Sequence, residues 1–289
     1  MLVTVERLAY GGQGIAHAQG LAIFVRDSAP GETVRVRVRR VFRRHLEADP
    51  VAIASPSPDR VAPRCRHVSD ACGGCIWQHV SYPAQLAAKA DAVRDSLERL
   101  GGFRDLPLRP ILAAPDEFRY RNKMEFAFHP GGILGLHPRE AWYEIISLRE
   151  CLLAPPLMMS IVQAARQFVE AHGLSLYDPR TRRGLLRDLC VRHSRSTGEV
   201  LLGLVTGPGG FPDAEAMAAH LAAVDPCIKG VVRSIQHAPD GAAPVSETEL
   251  LFGQDQAEKT DAAIDVHDLR ASHVTSQDPD HLDQVLGLR

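Results

Sequence analysis

Three cysteines crowded into one short stretch constrain this chain more than any other feature. Cys65, Cys72 and Cys75 stand as C-x6-C-x2-C within CRHVSDACGGCIWQH, and Cys151 follows much later in SLRECLLAP. Gly73 and Gly74 make the C-x2-C turn free of side chains, so two thiolates can point at one centre. Three close cysteines and a remote fourth suit a four-thiolate site that ties two segments together. Tetrahedral zinc and an iron–sulfur cluster both take four thiolates, and the spacing leaves both open. A disulfide scaffold is excluded, because six cysteines in 289 residues are too sparse for one. His67 and His79 flank the cysteines, but with four thiols at hand they are not needed as ligands.

The chain is long enough for two or three small domains, and its 45% hydrophobic content supplies material for real cores. No apolar run approaches the roughly 20 residues of a membrane span, and the start, MLVTVERLAYGGQG, lacks a secretory pattern. A cytoplasmic protein with no membrane partner is expected. The net charge of −2 excludes histone-like basicity, so charge has to be read by segment.

Short strands separated by glycine turns open the chain: Leu2 to Leu8, Leu21 to Val25 after Gly11-Gly12-Gln13-Gly14, and a long run from Thr33 to Arg44. In the last run Val34, Val36 and Val38 alternate with Arg35, Arg37 and Arg39, so a strand turns valines inward and arginines outward. Arg40, Arg43 and Arg44 extend that basic stripe. The reading is a small β-barrel over residues 1–54. Ser55-Pro56-Ser57-Pro58 then reads as a linker into a cysteine and helix segment over 55–110, whose helix runs from about Pro83 to Leu100 and stops at Gly101-Gly102. Its apolar face is Leu86, Ala90, Val93, Leu97 and Leu100.

Residues 111–253 read as a mixed α+β domain that contributes Cys151. Strands are expected at Lys123–His129, Ile133–His137, Trp142–Ser147, Arg187–His193, Val200–Thr206 and Ile228–Ile235, with helices at Leu157–His172 and Asp213–Val224. Arg119, Arg121, Asn122 and Lys123 form a polar cluster before the first of these strands, with Tyr120 available to stack on a base. The whole is an α+β multidomain chain. From Gly253 onward eight acidic residues face three basic ones, and the tail over 254–289 holds too few apolar residues for a domain of its own.

CGGCIWQH, with Cys65 ahead and Cys151 beyond, resembles the cluster signature of the bacterial RNA uracil-C5-methyltransferases, including the ribosomal RNA (uracil-5-)-methyltransferase group. GGQGIA followed by FVRDSAPGETVRVRV is similar to the TRAM domain, the OB-like RNA-binding barrel that precedes the cluster in that family. FRYRNKMEFAF and DPCIKGVVRSI resemble stretches of its central domain, and the likeness covers about residues 1–253. The radical methylthiotransferases, which also pair a TRAM domain with a cluster, run C-x3-C-x2-C and carry that domain last, so neither feature fits.

The resemblance implies that Cys65, Cys72, Cys75 and Cys151 ligate a four-iron four-sulfur cluster, and that the arginines Arg35, Arg37, Arg39, Arg40, Arg43 and Arg44 track RNA phosphates. It implies structured RNA as the partner, ribosomal in preference to transfer RNA, and a methyl group from S-adenosylmethionine. In the family a cysteine thiolate adds to C6 of uracil so that C5 can attack the methyl sulfonium, and a base then removes the C5 proton. Those parts reside in a C-terminal α/β domain, which the acidic tail does not resemble.

No catalytic or cofactor-binding residue is therefore assigned. Val200–Thr206 followed by Gly207-Pro208-Gly209-Gly210 and a helix has the form of a nucleotide-binding turn, but the next strand lacks the acidic residue a ribose needs, so a plain βα turn is the better reading. Cys190 and Cys227 fall in or beside strands and read as small hydrophobes. The expectation is an RNA-recognising family member shortened before its cofactor domain. The alternatives are a noncatalytic iron–sulfur RNA-binding scaffold, or one subunit of a split enzyme whose partner chain binds S-adenosylmethionine.

Overall fold

In the computed structural model, which describes residues 1–237 and 247–255, the valine–arginine alternation forms the long strand β5 (Thr33–Val41). Val34 and Val36 are buried and Arg35 and Arg37 exposed, as a two-residue period requires. Ahead of it come β1 (Leu2–Thr4), β2 (Arg7–Leu8), β3 (Gly14–Ala18) and β4 (Leu21–Val25), and β6 (His45–Ser55) follows. The sheet order is β1-β5-β6-β4-β3-β2. Its two ends, β1 and β2, are separated in the chain only by Val5 and Glu6, so both edges belong to one N-terminal stretch and the sheet closes on itself. Val3, Val5, Ala16, Ile23, Val25, Val34, Val36 and Ala48 fill the interior.

Three details differ from the sequence reading. The expected strand over Leu2–Leu8 is interrupted at Val5-Glu6. The strand expected to reach Arg44 ends at Val41, which puts Arg43 and Arg44 in the turn before β6. β6 itself was not foreseen, because Pro50 and three register shifts against β5 remove the alternation that marks a strand.

Residues beyond Ser55 do not trail off as a free linker. The barrel and the cysteine segment fall in one compact unit, Met1–Glu117. Helix α1 (Tyr82–Asp95) starts at Ser81, whose hydroxyl accepts the Ala84 N–H, and continues as a wider π-helical turn over Ser96–Leu100. Gly102, at φ +71°, takes the left-handed conformation just past its end. The helix packs through small residues: Ala88 and Ala84 meet Leu8, Ala29, Val80 and Trp77 in a second core. The apolar face expected from the sequence is only partly used, since Val93 and Leu100 are exposed.

The second unit, from Phe118 on, is built on β7 (Lys123–His129), β8 (Ile133–Leu136), β9 (Ile146–Ser147), β10 (Leu186–His193), β11 (Val200–Thr206), β12 (Ile228–Ile235) and β13 (Glu247–Gly253). The order is β13-β12-β11-β10-β7-β8-β9. All pairs are antiparallel except β11 and β12, which helix α3 (Ala214–Ala222) connects in parallel. β11 is buried along its whole length, which its unbroken apolar run VLLGLVT anticipates. Helix α2 (Pro156–His172) lays Met158, Ile161, Val162, Ala165, Phe168 and Val169 into the core and ends at Gly173, φ +59°. It packs on α3 and β8, and α3 packs on β12 and β13.

The strand expected from Trp142 shrinks to Ile146–Ser147, with Trp142 exposed. β13 went unread because it begins with the polar, exposed Glu247, Thr248 and Glu249. The acidic tail lies outside the described residues, apart from Gln254 and Asp255. Among the described residues no helix is long and apolar enough to cross a membrane.

Candidate functional site

The cysteine segment is anchored on the barrel by polar contacts that its own sequence does not announce. Glu32, with no exposed surface, pairs through its two carboxylate oxygens with the Arg60 guanidinium, which also donates to the Asp27 carbonyl at 2.8 Å. Burial pushes the Glu32 carboxyl up, but the Arg60 hydrogen bonds and the Ala29 N–H outweigh it and hold the group below the ordinary carboxylate range. His79 donates Nε2–H to the Ser28 carbonyl at 3.2 Å, and burial lowers its pKa. Trp77 donates its indole N–H to the Gly12 carbonyl at 3.0 Å.

Within this frame Cys65 precedes a one-turn 3-10 helix, Arg66–Val68, and Cys72 and Cys75 bracket the two glycines. All three are half-buried, and none of the six cysteines forms a disulfide. Gln78 joins two of them, accepting the Cys65 backbone N–H at 3.0 Å and donating to Cys75 Sγ at 3.2 Å. An amide N–H directed at sulfur stabilises a thiolate, so the donor set fits a thiolate-bound metal or cluster in its chemistry. Among the described residues, however, no three His, Cys, Asp or Glu side chains converge as a finished metal centre. His67 is held through Nδ1 by Asp70 at 2.8 Å, and His79 by the Ser28 carbonyl.

Cys151 belongs to the second unit, buried in the loop ahead of α2. The loop after it accepts the polar cluster: Arg119 N–H donates to Leu152 O at 2.8 Å, Arg121 N–H to Leu153 O at 3.0 Å, and the Arg119 guanidinium to Ala154 O at 2.9 Å. Lys123 pairs with Glu125 at 2.7 Å. Much of the cluster thus braces its own domain, whereas Asn122 and Tyr120 remain exposed. Arg119 also has φ +58°, a strained value for a non-glycine residue.

The arginine stripe is preserved with one exception. Arg35, Arg37, Arg40, Arg43 and Arg44 are exposed, whereas Arg39 is half-buried and bound to Glu47 at 2.9 Å after a register shift in β5 turns it aside. The neighbouring carboxylate of Asp49 is taken by Arg26 at 2.6 Å. Arg40 also reaches Glu47, at 3.9 Å, while Arg35, Arg37, Arg43 and Arg44 face outward.

A comparison with known families bears on this barrel. Residues 1–51 match the TRAM domain. The chain is 32% identical over 255 residues to an uncharacterized RNA methyltransferase of Synechocystis sp., covering 87% of this chain and 55% of that protein. It is 37% identical over 241 residues to an uncharacterized RNA methyltransferase of Nitratidesulfovibrio vulgaris, covering 81% and 51%. The fold resembles the crystal structure of the Pyrococcus abyssi tRNA (uracil-54, C5)-methyltransferase in complex with S-adenosyl-L-homocysteine, with a TM-score of 0.62 and 25% identity over 89% of this chain and 57% of that one. The chain spans about half the length of the curated relatives it matches.

The glycine turn after β11 is filled from within. Arg233, almost wholly buried, donates Nε–H to Thr206 Oγ1 at 2.9 Å and an Nη–H to the Gly209 carbonyl at 2.6 Å, and reaches Glu249 at 3.1 Å. The turn leads from β11 into α3. Burial and the nearby Glu125 push the Cys190 thiol up to about 12; burial and the Asp225 contact push Cys227 up to about 11. Both shifts run opposite to the lowered pKa of an activated thiol. Sequence reasoning missed Gln78, Arg60 and Arg233, since nothing in a single sequence links Arg60 to Glu32 or Arg233 to Gly209.

Proposed function

We propose that this chain takes part in the S-adenosylmethionine-dependent C5-methylation of uracil in RNA, with the described residues serving RNA recognition. The observation that carries the reading is the fold likeness to a uracil-C5 methyltransferase, which runs through both units and covers 89% of the chain. The named relatives and the TRAM domain agree with it. Arg35, Arg37, Arg40, Arg43 and Arg44 supply a positive surface suited to phosphates, while Asn122 and Tyr120 offer a hydrogen-bonding group and a ring to unpaired bases. Arg39, Arg119, Arg121 and Lys123 act mainly by shaping these surfaces.

The cysteine segment completes the proposal. Cys65, Cys72 and Cys75, with Cys151 as the expected fourth ligand, hold a four-iron four-sulfur cluster in this reading, and zinc is the competing occupant. Such a group supplies strong thiolate cross-links between the segments that hold it. Gln78 directs an N–H at the Cys75 sulfur and orients Cys65 through the backbone. Methyl donor, nucleophile and base belong to the enzyme as a whole and are assigned to no residue described above.

Deleting the gene and measuring 5-methyluridine in ribosomal and transfer RNA by mass spectrometry tests the reading. Loss of the modification at one position, restored by the wild-type gene, is the expected result, and the RNA that loses it identifies the substrate. Unchanged 5-methyluridine in both RNA classes would remove the proposal.

A further inference from the structure

We propose that the turn between β5 and β6 is a base-stacking site for one unpaired RNA nucleotide, built on Phe42 and His45. The Phe42 and His45 rings lie parallel, with centroids 4.4 Å apart and planes inclined by 13°. His45 in turn meets the edge of Phe24 at 5.3 Å and 88°. Phe42 and His45 thus form a two-ring stack that Phe24 braces at right angles, and Phe42 is 41% exposed. The turn is closed by the Phe42 N–H donating to the His45 carbonyl at 3.0 Å, so the two rings are held in register by the backbone as well as by their own contact.

Phe42 is stacked on His45 and partly open to water, so a second ring can reach it. A nucleobase extends the stack by one ring at little ordering cost, since Phe42 and His45 are already parallel. The surroundings select a nucleotide over a neutral aromatic ligand. Arg43 and Arg44 lie between the two stacked residues in sequence, and Arg40 flanks them, all exposed. Glu47 on the adjoining strand is engaged by Arg39 and, at 3.9 Å, by Arg40, and Asp49 by Arg26, while Arg43 and Arg44 stay exposed. A base seated on Phe42 therefore places its phosphates among cations.

This inference rests on the reading of the barrel as an RNA-binding surface, and the experiment separates the two. Binding of the full chain is measured with a short unstructured RNA carrying 2-aminopurine, whose fluorescence is quenched on stacking, and with an abasic RNA of equal length. Phe42→Leu is expected to weaken the base-bearing RNA about tenfold and remove the quench, while leaving abasic RNA unaffected. Phe42→Trp is expected to keep both. The double variant Arg43→Gln, Arg44→Gln is expected to weaken base-bearing and abasic RNA alike.

Equal affinity and equal quench in wild type and Phe42→Leu would overturn the stacking site even if the arginine variant loses binding, in which case the charged surface stands. Loss confined to the Phe42 variant would uphold the stack and remove the arginine contribution. A wild-type chain that binds neither RNA would overturn both. Because Phe42 is partly exposed, Phe42→Leu is expected to keep the stability of the wild type.

Discussion

The indole N–H of Trp77 reaches across 65 positions of sequence to the carbonyl of Gly12, 3.0 Å away. It joins the segment that carries the cysteines to the glycine turn between β2 and β3. Gly12 has φ +98°, and a Cβ placed there would come 2.5 Å from Ile76 Cδ1 and 3.0 Å from the Trp77 nitrogen. The backbone conformation therefore favours glycine, and a Cβ would also force the end of the Ile76 side chain aside. The barrel and the cysteine segment consequently form one mutually supporting structure.

Gly12→Ala is expected to destabilise the chain by about 2 kcal/mol through backbone strain and contact with Ile76. Trp77→Phe is expected to cost about 1 kcal/mol, the loss of one hydrogen bond with a little packing. Urea denaturation of the two single variants and the double variant checks both values. The double variant should lose less than the sum, because the two residues share a contact.

Arg60→Met leaves the Glu32 carboxylate buried without its partner and is expected to cost about 3 kcal/mol at neutral pH. The pH dependence supplies an independent check. The Glu32 pKa in the folded chain lies below the ordinary 4.5, so its contribution to stability is complete above that value. It is lost as pH falls through the lowered folded pKa. Denaturation curves between neutral pH and about pH 3 should show this loss in the wild type and a smaller one in Arg60→Met.

Cys72→Ser is expected to reduce bound metal and to loosen the segment around Cys65 and Cys75, since ligation in such a site is coupled to folding. Elemental analysis of anaerobically purified protein also distinguishes iron from zinc. Gln78→Leu should retain some metal but hold it less tightly, because Cys75 loses its N–H donor. Unchanged metal content in Cys72→Ser would end the claim that this segment is a metal site.

At pH 8 a thiol with a pKa near 12 is ionised to about one part in ten thousand, so Cys190 should resist iodoacetamide until the chain is unfolded. Cys227, near 11, should react slowly. Mass spectrometry of labelled peptides, with and without denaturant, reads both. Rapid native labelling of Cys190 would contradict its burial in β10.

Arg233→Met is expected to cost about 2 kcal/mol, because the buried Thr206 hydroxyl loses its donor while the exposed Gly209 carbonyl and Glu249 turn to water. Hydrogen exchange should show the loosening concentrated in β11 and β12. Exchange that stays uniform across the second sheet would argue against a local role for the arginine.

Local pattern was legible wherever one residue type repeated with the period of its element. VRVRV marked β5, and MMSIVQAARQFV between Pro156 and Gly173 marked α2. The pattern failed where burial was uneven. β6 carries Pro50 and bulges, β13 opens on exposed polar residues, and α1 packs through Ala84 and Ala88 in place of its larger apolar side chains. The arginine stripe was readable as a stripe, yet the register shift that withdraws Arg39 to Glu47 was not.

The sequence alone determined the two sheet-forming regions, the long helices, the C-x6-C-x2-C spacing and the basic edge of the barrel, because each is a property of neighbours along the chain. Tertiary structure decided which charges are engaged and which face outward. Glu32 finds Arg60, Gly12 finds Trp77, Gly209 finds Arg233, and Phe42 rests on His45 above Phe24. Most of these partners lie far apart in sequence, and all depend on strand register and loop closure. A shift of one residue in β5 or β6 would exchange the buried and exposed sets, so these pairings exist only once the sheet has closed.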